Sequence, residues 1–215
     1  MANSSPQLYA YNEPFQGFST PCYPEIPASV TSVTMVFALI GSGGNSSGGD
    51  VALNPPFPTA TGGGGGVFIG SVVLPTNMQN QGQYYGTQLY AFVGQPGDEE
   101  NSSTYISLKQ QVFPQPQTGE PWGSNGTNGT YQSVGGGIGG NGGSGAAFNP
   151  IVLVDGLITY PITQIFIGTG GNGQPVGVGT PGGASAYQAI SNWPFISYPN
   201  TPTGQLQSAG NGGIV

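Results

Sequence analysis

The chain has 215 residues, including 41 Gly and 20 Pro, and it carries one Lys, no Arg, no His and eight acidic residues, for a net charge of −7. The single cation, Lys109, excludes a basic surface that could neutralise the phosphates of a nucleic acid. Without His, the commonest general base and metal ligand at neutral pH is missing. We therefore expect a protein that is not an enzyme, needs no cofactor and acts through its shape and surface.

Strand signals dominate the chain from its first third onward. Helix signals are weak, because no window of a dozen residues combines helical apolar spacing with freedom from Gly and Pro. Runs rich in β-branched and aromatic residues, separated by Gly, Pro and Asn turns, predict an all-β, glycine-rich domain, sandwich- or barrel-like, with extended polyproline- or polyglycine-like loops. The predicted strands are residues 33–40, 67–74, 87–93, 104–113, 151–154 and 162–167.

Composition divides the chain into three parts. Residues 1–29 hold five prolines interleaved with aromatic residues, which predicts an extended N-terminal arm. Residues 30–190 contain the strands and form the glycine-rich β domain, and residues 191–215 form an extended C-terminal tail. Aromatic side chains at intervals need a surface to pack against, so the arms can bind their own domain or a neighbouring chain; flexible linkers are the other interpretation.

Two internal similarities suggest a repeated unit of strand followed by glycines. Residues 62–68 align with 142–148, and residues 34–37 echo 163–166 before Gly-rich segments. In the second pair, the distance from the Phe to the following Gly is two residues shorter in the later copy. Side chains alternate between the faces of a strand with a period of two, so this difference predicts the same buried face in both copies. The glycine runs themselves fit either extended strands packed side by side or surface loops.

No pattern for catalysis or ligand binding stands out. The only Lys is far from any glycine-rich phosphate loop, and Ser residues have no His to activate them. Residues 98–100 (Asp-Glu-Glu) could form a calcium site, but a solvated turn is the commoner outcome. Cys22 has no cationic neighbour to lower its pKa and can form no internal disulfide. We expect no catalytic, cofactor-binding or metal-binding residues.

The apolar runs are too short to cross a bilayer and the first residues lack the features of a secretory signal, so membrane insertion and export are not expected.

The order of the glycine motifs resembles the glycine-rich domain of virion proteins, found in structural proteins of large icosahedral DNA viruses and in phage tail-fibre tip adhesins. The resemblance covers about residues 30–190. It implies a virion structural protein, a minor capsid or cement component that binds major and minor capsid proteins, lies in the capsid and is assembled in the host cytoplasm. The alternative is a receptor- or carbohydrate-binding adhesin at a viral fibre tip. The motifs that carry it are residues 41–44, 62–70, 88–94, 165–171 and 181–187.

Overall fold

A computed structural model describes residues 9–10, 15–41, 67–94, 104–110, 119–123, 145–146, 151–168 and 213–214. These residues form β-strands and turns, and no helix occurs among them. The strands are β1 (Tyr9–Ala10), β2 (Phe15–Ser19), β3 (Ser32–Ile40), β4 (Val67–Pro75), β5 (Met78–Asn80), β6 (Gln83–Tyr85), β7 (Gln88–Phe92), β8 (Thr104–Ser107), β9 (Trp122–Gly123), β10 (Gly145–Ala146), β11 (Val152–Asp155), β12 (Ile158–Gly168) and β13 (Gly213–Ile214).

The larger sheet, which we call the first sheet, has the strand order β1-β13-β3-β4-β12-β11. Its centre is the antiparallel pair β3–β4, aligned from Ser32 opposite Pro75 to Ile40 opposite Val67. Long runs of Val, Ile, Phe and Leu favour these central positions, because β-branched and aromatic side chains pack well on a pleated surface. The prediction of an all-β protein is therefore confirmed over the described residues.

The second sheet has the order β10-β9-β8-β7-β2, and all its neighbours are antiparallel. Its edge strand, Phe15–Ser19, belongs to the segment that the sequence suggests as an extended arm. The backbone of this part of the arm thus pairs with the domain itself. The proposed division of the chain at residue 29 remains a prediction.

Side chains from both sheets form a hydrophobic cluster. Phe37 and Phe68 stack across β3 and β4, with ring centroids 6.1 Å apart. Gly70 lies beneath them, and a methyl group there would come within 2.8 Å of Phe68 and Ile162 side-chain atoms. The absent side chain therefore makes room for the aromatic pair. The cluster contains Phe37, Leu39, Phe68, Val72, Leu74, Leu89, Ala91, Val93, Ile106, Leu108, Leu153 and Ile162.

Most predicted strands are found near their predicted positions, but two have different bounds. The strand predicted over 104–113 ends at Ser107, where the Ser107 hydroxyl accepts a hydrogen bond from the Lys109 amide (3.2 Å) and the chain bends. Strand β12 begins four residues earlier than predicted and includes Pro161. Pro161 lies opposite Val152 of β11, just before the pairing of β12 with β4 begins at Ile162.

The two similar segments, 34–37 and 163–166, lie on either side of β4, in β3 and β12. A β-bulge between Gln164 and Phe166 shifts the register of β12. Phe166 consequently lies opposite Ile69, whereas Phe37 lies opposite the adjacent residue Gly70. Neighbouring strand residues face opposite sides of a sheet, so the expectation of one shared buried face is wrong. Most of the other similar segment, 142–148, lies outside the described residues.

The two ends of the domain differ in the segments that join the strands. Hydrogen bonds join Thr20, Pro75 and Thr87. The last residues of β2 and β4 and the first residue of β7 therefore lie at the same end of the domain, which we call the threonine end. The glycine-rich segments 42–66, 95–103, 124–144 and 169–212 leave and rejoin the sheets at the other ends of these strands. These four segments contain 29 of the 41 glycines.

Candidate functional site

One side of the first sheet is uncharged and open along part of its length, and Ala38, Ile40 and Ile69 on the same side are buried. The strand register places Thr34 opposite Val73, and Val36 opposite Ser71, which in turn lies opposite Thr163. These five residues face away from the hydrophobic cluster, and we call them the outer face. Val36 is 46% exposed and Val73 57% exposed, and none of the five carries a charge.

Other exposed apolar side chains lie along β12 and at the turn before it. Ile165, in the bulge of β12, is 53% exposed. At the turn between β11 and β12, Leu157 is fully exposed, and Ile158 follows it at 57%. Gly156 has a φ of +62° and allows the tight turn that carries Leu157 outward. Ile158 alternates with Tyr160 and Ile162, which pack in the hydrophobic cluster, so it lies on that side of β12 and not on the outer face.

The sequence indicates that both faces of β3 and β4 are covered, but not what covers the second face. Residues 33–40 and 67–74 are apolar at almost every position, rather than alternating between apolar and polar. Such continuous runs are typical of strands that are covered on both faces. The described structure covers one face of β3 and β4 with the hydrophobic cluster and leaves much of the other open.

The threonine end is held by a network of side-chain hydrogen bonds. The Thr20 hydroxyl accepts a bond from the Thr87 amide (2.8 Å), and the Thr87 hydroxyl donates to the Pro75 carbonyl (2.6 Å). The Asn77 amide group donates to the Pro27 and Val30 carbonyls (2.6 and 2.8 Å), while its oxygen accepts from the Tyr23 amide. The segment 20–31 is thereby fixed against the end of β4.

A tyrosine-bearing hairpin projects from the same end. Strands β5 and β6 are joined by Gln81 and Gly82, which have φ values of +50° and +81°. The Tyr84 ring contacts the ring of Tyr23, with centroids 5.2 Å apart and planes tilted by 50°. Tyr85 is 44% exposed. This hairpin and the outer face are the two surfaces of the described structure with features of a binding site.

A buried polar cluster lies inside the domain. Glu120 is completely buried, and one of its oxygens accepts a hydrogen bond from the Ser107 hydroxyl (3.2 Å). The Tyr105 hydroxyl is buried and has no hydrogen-bond partner among the residues that the structure describes. Burial, and to a smaller extent the Glu120 carboxylate, raises the pKa of Tyr105 above its ordinary value of 10.0. The cluster has no opening that would admit a substrate among the described residues, and we assign it a structural role.

The residues that the sequence analysis considered for catalysis or metal binding do not lie close together in the described part of the chain. Lys109 is exposed, and Cys22 is a partly buried free thiol in the segment 20–31. No three His, Cys, Asp or Glu side chains are grouped for metal binding within the ranges that the structure covers. The acidic residues 98–100, considered for calcium, lie outside these ranges.

No helix in the described ranges is long and apolar enough to cross a membrane. Comparison of the chain with protein families, with curated proteins and with solved structures finds no match. The likeness to virion glycine-rich domains therefore stays a prediction from the sequence, and a function has to be proposed from the surfaces described above.

Proposed function

We propose that this protein is a structural component of a virus particle, a minor capsid or cement protein that binds neighbouring capsid proteins. In this proposal the two sheets form a glycine-rich β-sandwich, the protein lies in the capsid, and assembly takes place in the host cytoplasm. The observation that carries the proposal is the uncharged outer face, on which Val36 and Val73 are exposed.

The chemistry of this surface favours a protein partner. Burying apolar surface contributes roughly 25 cal/mol per Å², so the half-exposed Val36 and Val73 side chains can each supply about 1 kcal/mol when a partner covers them. With one cation in the whole chain, ion pairs contributed by cations of this protein can add little to such contacts. Association should therefore depend weakly on salt concentration, because screening acts on charges and not on apolar burial.

In this proposal the terminal segments contribute less to binding of neighbouring subunits than the sequence suggests. Residues 15–31 bind their own domain through β2 and the threonine end. At the other terminus, Gly213–Ile214 pairs with both β1 and β3 of the first sheet. We therefore assign the main contact with neighbouring subunits to the outer face and the Leu157 turn, with the remaining parts of the arms as secondary contacts.

The proposal is tested on purified particles of the virus that encodes the chain. The protein should co-purify with the particles and stay bound through washes from low to molar salt, while mild denaturant or detergent should release it. Release at moderate salt, or a protein found only outside the particles, would contradict a capsid role based on apolar contacts.

A receptor- or carbohydrate-binding adhesin is the second candidate. It is favoured by the exposure of Tyr23 (52%) and Tyr85 (44%) at the threonine end, because exposed tyrosine rings are typical of surfaces that stack on sugars. A fibre-tip adhesin would bind isolated host-cell surfaces as a purified protein, whereas a cement protein would bind particles that lack it.

A further inference from the structure

The β5–β6 hairpin presents its side chains on two distinct sides. Met78 lies opposite Tyr85 and Asn80 opposite Gln83, so these four side chains share one side of the hairpin. Gln79 lies opposite Tyr84 on the other side, where the Tyr84 ring contacts Tyr23. Tyr85 is thus separated from the other two tyrosines and lies beside two amide side chains.

The hairpin is fixed at both of its ends. Before β5, the Thr76 amide donates to the Thr31 carbonyl (2.9 Å) and Asn77 binds three backbone groups. After β6, the close contact of Gly86 with Thr20 and the bonds of Thr87 hold the chain. A binding surface that is already ordered loses less entropy when it binds a ligand.

A shallow depression, widely open to solvent, lies on this hairpin. Its surface is mostly polar, and it is lined by Asn80, Gln81, Gln83, Tyr84 and Tyr85. Asn80, Gln81 and Gln83 are exposed, and no residue between 51 and 97 carries a charge. A ligand for this depression has hydroxyl groups for the amides and an apolar face for a tyrosine ring.

We propose that the hairpin binds neutral carbohydrate, with a sugar ring stacked on Tyr85 and its hydroxyl groups hydrogen-bonded to the Asn80 and Gln83 amides. Amides both donate and accept hydrogen bonds, as sugar hydroxyls do. Anionic ligands are disfavoured, because the hairpin offers no cation. This site is separate from the outer face, so it stands or falls independently of the capsid role.

A proline-rich peptide is the main competing ligand, because such peptides also dock on aromatic rings. They bind in grooves between aromatic side chains that line the same surface. Tyr84 and Tyr85 both border the depression, but the Tyr84 ring is in contact with Tyr23 and is half-buried, whereas Tyr85 is 44% exposed. One exposed ring flanked by amides matches a sugar better than it matches a polyproline helix.

The test uses the full chain, immobilised and probed with neutral oligosaccharides of glucose, galactose, mannose and N-acetylglucosamine, with sialylated and sulfated versions and a proline-rich peptide as comparisons. We expect saturable binding of at least one neutral sugar, unchanged by salt and not improved by an added anionic group. Immobilising many copies of the protein close together should raise the apparent affinity for an oligosaccharide, because a single shallow site binds weakly.

Variants on the two sides of the hairpin provide the matched control. Tyr85→Ala should lower affinity by about tenfold or more, since the ring supplies both buried area and stacking. Tyr85→Phe keeps the ring and should stay close to the parent, Asn80→Ala should weaken binding, and Gln79→Ala, on the opposite side, should have no effect. Circular dichroism would verify that each variant is folded.

Failure of every neutral sugar to bind at millimolar concentration would overturn the proposal, and so would binding that survives Tyr85→Ala. Binding of the proline-rich peptide alone would assign the hairpin to a protein partner instead. None of these results bears on retention of the protein by virus particles, so the two proposals can fail separately.

Discussion

At the scale of single residues, Asn77 shows how one side chain can organise a loop. It has a φ of +48°, in the left-handed region that Asn tolerates better than most residues. That backbone conformation allows its amide group to reach the Pro27 and Val30 carbonyls while its oxygen accepts from the Tyr23 amide. Three backbone groups of the segment 20–31 are satisfied by a residue about 50 positions away.

Gly86 is required by the close approach of two backbone segments. A methyl group at this position would lie 2.0 Å from the Thr20 carbonyl oxygen, which belongs to backbone and cannot rotate away. We expect Gly86→Ala to lower the free energy of unfolding by about 3 kcal/mol or more, measured by urea denaturation.

Gly82→Ala is the matched control for that substitution. Gly82 has a φ of +81°, but no atom lies within 4 Å of a methyl group there. Its substitution should cost only the left-handed backbone penalty of about 1–2 kcal/mol. Gly86 has no positive φ, so a loss at Gly86 no larger than that at Gly82 would show that the chain near Thr20 shifts to admit the methyl group and that the close contact does not require glycine.

Tyr105 should make stability depend on pH in the alkaline range. Its hydroxyl is buried without a hydrogen-bond partner among the described residues, and burial raises its pKa above 10.0. An unfolded tyrosine loses its proton near pH 10, while the native one keeps it. The native state then binds more protons, so stability should fall as pH rises above about 10, by roughly 1.4 kcal/mol per pH unit. Below that pH the group should have no effect on the slope.

The measurement compares the parent with Tyr105→Phe by urea denaturation between pH 8 and pH 11. The variant should lose this part of the alkaline slope, and at pH 8 its stability should equal or exceed that of the parent, because an unsatisfied buried hydroxyl is removed. A large loss of stability at pH 8 would indicate that the hydroxyl has a partner after all.

At the scale of elements, β2 is held more firmly than its composition suggests. It pairs along its full length with β7, from Phe15 opposite Phe92 to Ser19 opposite Gln88. The Gln88 side chain also donates to the Phe18 carbonyl (2.9 Å), and the Thr20 amide donates to the Thr87 carbonyl (2.9 Å). These bonds link a strand near the N-terminus to the middle of the chain.

Hydrogen exchange followed by mass spectrometry can test this attachment. Peptides covering residues 15–20 should be protected to a degree similar to peptides covering β7, because the same ladder protects both. Peptides covering the Gln81–Gly82 turn should exchange quickly and serve as the internal reference. Fast exchange throughout residues 15–20 would indicate an arm that leaves the domain, as the proline-rich composition suggests.

At the scale of the whole molecule, the outer face should govern association with neighbouring subunits. Val73 is 57% exposed, so a lysine there can reach solvent in the free protein without disturbing the fold. In an interface, the same lysine would be buried without a partner charge, which is costly. We expect Val73→Lys to keep its unfolding midpoint and to lose about tenfold or more in binding to particles that lack the protein.

Gln79→Lys makes the same change in charge on the exposed hairpin, away from the outer face, and should bind as the parent does. If both lysine variants lose binding equally, net charge and not the outer face is responsible. If neither does, the contact with the particle lies elsewhere on the protein.

Much of the architecture could be predicted from local sequence. Residues 33–40 and 67–74 are rich in β-branched and aromatic residues and are followed by Gly41 and Pro75, and each forms a strand of the first sheet at nearly the predicted bounds. Strand propensity and chain breakers act within a few residues, so they can be read without knowledge of the fold. Composition likewise determined that interactions of this protein rely little on positive charge.

What only the tertiary structure decided depends on residues far apart in the chain. Three features have no signature in the local sequence. They are the bulge that turns Phe166 to the other side of β12, the contact of Gly86 with Thr20, and the hydrogen bonds of Asn77 to residues 23–30. The open side of β3 and β4 is also hidden in the sequence, because an apolar strand has the same pattern whether its second face meets its own chain or a partner. Whether the same chain or a partner covers that face depends on how the sheets pack. Packing brings together segments that are far apart in the sequence, so it cannot be read from either segment alone.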